Sequence, residues 1–330
     1  MSEHPYSKLK PEHILDAIES LGYQCDGRIN ALNSYENRVY QIGLEDQKPM
    51  IAKFYRPDRW SEEQVREEHQ FCDELANAEW PLVPPIKLKN LGSFHRYENF
   101  VFTLFEREGG HAPELDNLDT LLVLGRSLGR LHAISAERPF IHRPEITILS
   151  YGIESREYLL NHNFIPKSLL PAYDSLSQDL IELIKTAFEQ VDYSVIRLHG
   201  DCHPGNILWQ NDKPIFVDFD DCRSGPAIQD LWMLLSGERK DRELQLDVIL
   251  EGYEQFYQFN DAEIVLVEAL RTLRMMHYAA WLARRWADPA FPMAFPWFNT
   301  ERYWDEHILE LREQFAELQQ APLQRMTPQF

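Results

Sequence analysis

Three oxygen-bearing side chains at fixed intervals, Asp201, Asn206 and Asp218, carry the clearest chemical meaning in this sequence. His199, Asp201 and Asn206 follow the spacing H-x-D-x-x-x-x-N, the catalytic-loop pattern of phosphoryl transfer. Moving a γ-phosphoryl group asks little covalent work of a protein, so catalysis rests on positioning and on neutralising charge with Mg²⁺. Hard cations select oxygen ligands, which Asn206 and Asp218 would supply. Asp201 has no cationic neighbour in its own loop and could accept a hydrogen bond from the hydroxyl to be phosphorylated. Asp201 and Asp218 are therefore the expected catalytic pair, with Asn206 and Asp218 as the expected metal ligands.

The surrounding residues say how these groups would be held. A strand-like run at 195–198 delivers His199, Gly200 and Asp201, and the apolar Ile207, Leu208 and Trp209 follow Asn206. A second apolar run at 214–217 ends in Asp218, with Asn211, Asp212 and Lys213 as the turn between two short strands. This predicts Asp201 and Asp218 at neighbouring strand ends.

Two other chemistries use the same letters. His199, Asp201 and His203 could ligate a borderline metal such as Zn²⁺ in a hydrolase, but no HExxH supports it and His111, His132 and His142 are scattered. Asp218-Phe219-Asp220-Asp221 after a hydrophobic strand is like the DxDx(T/V) start of haloacid-dehalogenase-type phosphatases. Asp221, however, stands where Thr or Val belongs.

Upstream, apolar residues at helical spacing over 11–21 predict a helix, and strand-like segments follow at 27–33, 38–42 and 50–55. The third holds Lys53 between apolar neighbours, and a buried ammonium requires an anionic partner. Ser61 would cap the next helix, with Glu62 and Glu63 in its first turn. Its candidate partners for Lys53 are Glu67 and Glu68. Glu68 falls nearer the apolar face of Val65, Phe71, Leu75 and Ala76, whereas Glu62, Glu63 and Glu67 read as solvated helix surface.

Between the first two strands, 33–38 stands where a phosphate-covering loop belongs and contains no glycine. Backbone N–H groups of a glycine-rich loop normally approach phosphate, so side chains of Ser34, Asn37 or Arg38 would share that work. No GxxxxGK[ST] occurs, which excludes a P-loop enzyme by motif. A strand-like run at 100–105 ends at Glu106-Arg107-Glu108-Gly109-Gly110, a composition shift that sets a boundary between 1–106 and 107–330. Backbone groups from Leu104 to Glu106 could pair with adenine, with Thr103 beside them.

Beyond the boundary, 118–136 is amphipathic and carries Gly125 and Gly129, whose spacing suggests close helix packing. Gly225-Pro226 introduces a helix with Ile228, Leu231, Trp232, Leu234 and Leu235, in which Asp230 is the one acid and could accept hydrogen bonds from loop backbone N–H groups. Further helices are expected at 262–287 and 301–319.

The 330 residues suffice for about two domains or lobes. Lys+Arg of 33 against Asp+Glu of 53 gives a net charge of −20, which argues against nonspecific binding to nucleic acid or anionic membrane. Cys25, Cys72, Cys202 and Cys222 form no CxxC pair, so neither a disulfide framework nor a zinc site is expected. Cys202 and Cys222 flank the catalytic segments, and the plain reading is two small core side chains. No apolar signal core or membrane span is apparent.

The loop Asp201-Cys202-His203-Pro204-Gly205-Asn206, the string Val217-Asp218-Phe219-Asp220, Lys53 and the helix segment Leu128-Gly129-Arg130-Leu131-His132 occur in one order. Through them the chain resembles the aminoglycoside/choline phosphotransferase branch of the protein-kinase-like fold, nearly end to end. The strings at 32–40, 53–57, 68–71 and 281–292 look, more narrowly, like enterobacterial serine/threonine protein kinases of that branch.

The resemblance implies an α+β bilobal fold, with a small β-rich N-lobe at 1–106 and a larger, mainly helical C-lobe at 107–330. It implies Asp201 as proton acceptor, Asn206 and Asp218 on Mg²⁺, Lys53 on the ATP phosphates and Glu36 near the nucleotide. With Ser34, Arg38, Glu68, Leu104 and Glu106, these make up the expected nucleotide side. It implies action on protein Ser/Thr hydroxyls in envelope and oxidative stress as well, and a cytoplasmic monomer is expected. Departures from ordinary protein kinases are Gly200 for the arginine of HRD, His203 for the catalytic-loop lysine and Asp220 for the glycine of DFG. No APE-type segment closes an activation loop. The alternatives are a kinase for a small, cationic hydroxylated molecule and a catalytically dead scaffold.

Overall fold

The computed structural model describes residues 4–32 and 34–326, in two compact units. The first holds the described residues up to Pro113 together with Ile141–Arg143 and Pro204–Asp221. The second holds Glu114–Phe140, Pro144–His203 and the described residues from Cys222 on.

The first unit is built on a five-stranded antiparallel sheet of order β1-β2-β3-β5-β4. Its strands are β1 (Cys25–Ala31), β2 (Arg38–Leu44), β3 (Met50–Phe54), β4 (His95–Tyr97) and β5 (Phe100–Glu106). Helix α1 (Pro11–Glu19), begun by a proline at its first helical position, buries Ile14, Ala17 and Ile18. These join Ile42, Ala52, Phe54, Phe102 and Leu104 in one apolar cluster. Successive strand side chains point to opposite faces, so with Ala52 and Phe54 in that cluster Lys53 is directed to the other face.

Helix α2 (Glu62–Asn77) brings its carboxylate to Lys53 on that face. It opens with the expected Ser61 cap, completed as a capping box by Gln64. Strands β7 (Ile207–Gln210) and β8 (Lys213–Phe216) form a hairpin with register Ile207↔Phe216 and Gln210↔Lys213. Asn211 and Asp212 both have positive φ, the two-residue turn that suits strand twist.

In the second unit, β6 (Ile196–Leu198) pairs with β9 (Arg223–Gly225) rather than with β8. The expectation that Asp201 and Asp218 follow neighbouring strands is therefore corrected: they leave strands of separate two-stranded sheets. The helices are α3 (Leu118–Ser135), α4 (Glu154–Asn161), α5 (Leu170–Glu189), α6 (Ile228–Trp232), α7 (Arg239–Tyr253), α8 (Val267–Arg285), α9 (Ala290–Ala294) and α10 (Glu301–Glu317).

The glycines of α3 do what their spacing suggests. A Cβ on Gly125 would lie 2.0 Å from the Ile249 carbonyl oxygen, and one on Gly129 would lie 2.3 Å from that of Tyr253, both on α7. A second core gathers α5, α8 and α10 around Tyr173, Leu180, Met276, Phe298 and Trp304. Helix α6 ends at Trp232, before Leu234 and Leu235, which are buried in the following turn instead of extending the helix.

Candidate active site

Lys53 is the centre of the first unit's charged cluster. Its ammonium Nζ lies 3.1 Å from Asp218 Oδ1, 3.2 Å from Asp220 Oδ1 and 3.6 Å from Glu68 Oε1. Glu68, rather than Glu67, is the helix partner, as its place beside the apolar face predicts. Burial would lower the Lys53 pKa, but the carboxylates of Asp218, Asp220 and Glu68 outweigh it and hold it well above the ordinary value. Burial raises the pKa of the Glu68 carboxyl, against the pull of Lys53.

Arg59 closes the other side. Its guanidinium contacts Asp220 and reaches Asp221 Oδ1 at 2.7 Å and Glu36 Oε1 at 3.9 Å. Burial opposes the charge on Asp220, yet Arg59 and Lys53 together bring its pKa below the usual carboxylate range. Arg143 Nη1 stands 3.8 Å from Glu68 Oε2, and Arg143 also donates to the Asp220 carbonyl. Sequence reasoning missed Asp220, Arg59 and Arg143 as one network. The available signal was Asp220 itself, an acid at the end of a core strand that needs a cation.

Apolar packing positions the carboxylates. Phe219, between Asp218 and Asp220, lies edge-on to Phe71 of α2 at 5.8 Å and to Trp80 at 6.0 Å. Asp218 itself takes φ +62°, a left-handed conformation uncommon for a residue with a side chain. Its side chain is 53% exposed, whereas those of Lys53 and Asp220 are 5% and 4% exposed. The hairpin brings the metal candidates together in the backbone, since the Val217 N–H donates to the Asn206 carbonyl at 3.0 Å. An amide and a half-exposed carboxylate form an all-oxygen donor set, which fits Mg²⁺ completed by water and phosphate oxygens. Among the described residues no group of three or more His, Cys, Asp or Glu is placed to hold a metal ion.

Glu67 is not the solvated side chain expected. Its carboxylate accepts the backbone N–H groups of Ile141, His142 and Arg143 at 2.6, 2.8 and 2.7 Å, tying 141–143 to α2. Loop 34–37 is held by its own polar groups. Ser34 Oγ donates to the Asn37 carbonyl at 3.2 Å, Arg38 donates to that of Tyr35 at 2.8 Å, and the Arg56 N–H donates to Asn37 Oδ1 at 3.1 Å. Glu36 is buried, with its carboxylate 3.6 Å from Arg56. Asn33, expected in the same loop, lies outside the described residues. On β5, Leu104 is a core side chain whose carbonyl accepts the Ile86 N–H at 2.7 Å, Thr103 Oγ1 donates to the Ser93 carbonyl, and Glu106 is exposed.

In the second unit the Asp201 loop hangs from a buried acid. Asp230 accepts the backbone N–H groups of His199 and Gly200 at 2.8 and 2.9 Å, the role suggested by its place among apolar residues. His132, from the Leu128–His132 string, lies 3.2 Å from Asp230 Oδ2 and 2.8 Å from the Tyr253 hydroxyl. The close α3–α7 packing thus fixes the anchor of the loop. Asp201 does have a cationic partner, Arg274 on α8, whose Nη1 lies 2.6 Å from Oδ1, and His203 Nε2 lies 3.6 Å from Oδ2. Cys202 and Cys222 are fully buried, and burial raises the Cys202 thiol pKa well above its ordinary value, which suits packing and not reactivity.

The first unit thus pairs a strand lysine with a helix glutamate and an acid beyond a hairpin, and the second hangs the His199–Asp201 segment on a buried aspartate. Residues 28–264 match the phosphotransferase enzyme family APH. The chain belongs to that family. Stress response kinase A of Escherichia coli O157:H7 is 46% identical over 329 residues, which cover 100% of this chain and 99% of that one. A Salmonella typhimurium relative named serine/threonine protein kinase RdoA is 44% identical over 325 residues, 98% of each chain. Among solved structures, an amicoumacin kinase in complex with AMP-PNP, Ca²⁺ and Ami has the same fold, with a TM-score of 0.73 at 19% identity over 94% of each chain. The chain is thus a phosphotransferase with the α+β architecture of the APH family. None of the helices among the described residues is long and apolar enough to cross a membrane.

Proposed function

We propose that this phosphotransferase uses ATP and Mg²⁺ to phosphorylate Ser/Thr hydroxyls of proteins in a stress response. The observation that carries the transfer chemistry is the convergence of Glu68, Asp218 and Asp220 on Lys53. In this reading Lys53, held by Glu68, contacts the nucleotide phosphates. Asn206 and Asp218 hold Mg²⁺, which would neutralise charge developing on the phosphoryl oxygens. Asp201 accepts the proton of the attacking hydroxyl. Glu36, Ser34 and Arg38 flank the phosphates, and the backbone of Leu104 and Glu106 meets the adenine. Asp220 and Arg59 touch no substrate and keep Lys53 and Asp218 in place.

The protein acceptor is supported by the full-length similarity to relatives named as stress response and serine/threonine protein kinases. A second reading, a small-molecule acceptor, draws on the amicoumacin kinase of the same fold. The two separate in a γ-labelled ATP assay with acidic and basic generic proteins, an aminoglycoside panel, choline and homoserine offered singly. Label on protein Ser/Thr is the expected result, and transfer confined to a small molecule would overturn it.

A further inference from the structure

The guanidinium on Asp201 is the feature that the transfer chemistry leaves unused. Arg274 sits on α8 with its side chain 37% exposed, and its Nη1 lies 2.6 Å from Asp201 Oδ1. Two imidazoles and a second guanidinium lie on neighbouring parts of the second unit. His203 Nε2 faces the other carboxylate oxygen at 3.6 Å. One turn along α8 from Arg274, His277 stacks on Tyr151 at 4.1 Å, and the guanidinium of Arg223 lies over the same Tyr151 ring at 5.4 Å. In a chain of net charge −20, this carboxylate has a guanidinium on one oxygen and faces an imidazole with the other.

We propose that Arg274 is a specificity-determining residue of the acceptor site, selecting hydroxyls flanked by a carboxylate or phosphate over hydroxyls flanked by an ammonium. The proposal rests on the phosphotransfer role of Asp201. Arg274 is the more exposed member of the pair, and a partly exposed ion pair contributes little stability, so its guanidinium can turn to another anion. An anion beside the acceptor hydroxyl gives Arg274 a replacement partner and frees Oδ1 for the hydroxyl proton. An ammonium there meets like charge, which costs affinity and register. The transfer then balances: the acceptor oxygen bonds to the γ-phosphorus as the bond to the β,γ-bridging oxygen breaks. The hydroxyl proton passes to Asp201, and ADP leaves with the bonding electron pair.

The test is steady-state kinetics of the full chain with two serine peptides, one flanked by Asp/Glu and one by Lys/Arg, plus glycerate and choline as small counterparts. The wild type should favour the anionic member of each pair by roughly tenfold or more in kcat/KM. Arg274→Gln should lose that preference mainly through KM, Arg274→Lys should keep most of it, and Arg274→Glu should reverse it. A superficial structural role would leave the ratio unmoved in all three variants, and that outcome, or a wild-type preference for cations, overturns the inference while the kinase reading stands. Preference for glycerate over the acidic peptide would support selection of an anion and assign it to a small acceptor. Absence of transfer to any acceptor would remove the kinase reading and this inference with it.

Discussion

The Lys53 cluster and the Asp201 loop hold their acids in opposite ways. Around Lys53 the side chains of Glu68, Asp220 and Arg59 are buried, Asp218 is half-exposed, and each carboxylate has a cation within 4 Å. Asp201 is instead 23% exposed on a loop that is suspended by backbone N–H groups from Asp230. Removing one partner from a buried ion network strands the others, whereas an amide in place of the Asp201 carboxylate leaves its loop on the Asp230 anchor and should cost little folding energy. Structure should therefore suffer at Lys53 and its buried partners, and chemistry at Asp201.

The largest expected effect is on turnover. Asp201→Asn should lower kcat by about 10²–10⁴-fold, the usual worth of a positioned general base, with nucleotide affinity and melting temperature close to wild type. Parallel nucleotide titrations and melts check this, and an equal loss of stability would erase the contrast. Asp220→Ala should behave in the reverse manner, costing about 3–5 kcal/mol because Lys53 and Arg59 lose a shared counter-charge. Its neighbour Asp218, half-exposed, should cost under ~1 kcal/mol as Asp218→Ala while weakening Mg²⁺·ATP binding. Urea unfolding of both variants separates them.

Between those extremes, Gly129→Ala should cost roughly 1–3 kcal/mol, since its Cβ would press on the Tyr253 carbonyl and spread α3 from α7. Because His132 rides on α3, activity should fall further than the stability loss alone explains. Measuring kcat well below the melting temperature tests that point.

The smallest effects are in pH. Burial lowers His69 in the first unit from 6.5 to about 3, and His307 in the second from 6.5 to about 4. The unfolded chain thus binds more protons than the folded one between these values. Stability is full above pH 6.5 and falls as pH drops, by at most about 1.4 kcal/mol per pH unit for each ring. Replacing either ring with Gln should flatten that dependence between pH 6.5 and 4 in urea titrations.

The sequence was legible where local spacing carries the information. The turn Asn211-Asp212 fixes a hairpin that brings Asn206 beside Val217, and a lysine bracketed by apolar residues requires an acid on the apolar side of α2. The glycines of α3 announced a tight helix contact, and Asp230 its loop-holding role. Partners distant in sequence left no such mark. Arg59 meets acids some 160 positions away, and Arg274 reaches the Asp201 loop from α8. Glu67 read as surface because the strand of backbone it captures, 141–143, has no pattern of its own. The end of α6 was misplaced because Leu234 and Leu235 remain apolar and buried after the helix has stopped.

The most direct measurement is phosphoryl transfer from γ-labelled ATP·Mg²⁺ by the wild type beside Asp201→Asn, with nucleotide binding followed in the same samples. The account predicts label on protein Ser/Thr for the wild type, none above background for Asp201→Asn, and nucleotide binding by both. Equal transfer by the two proteins would contradict it.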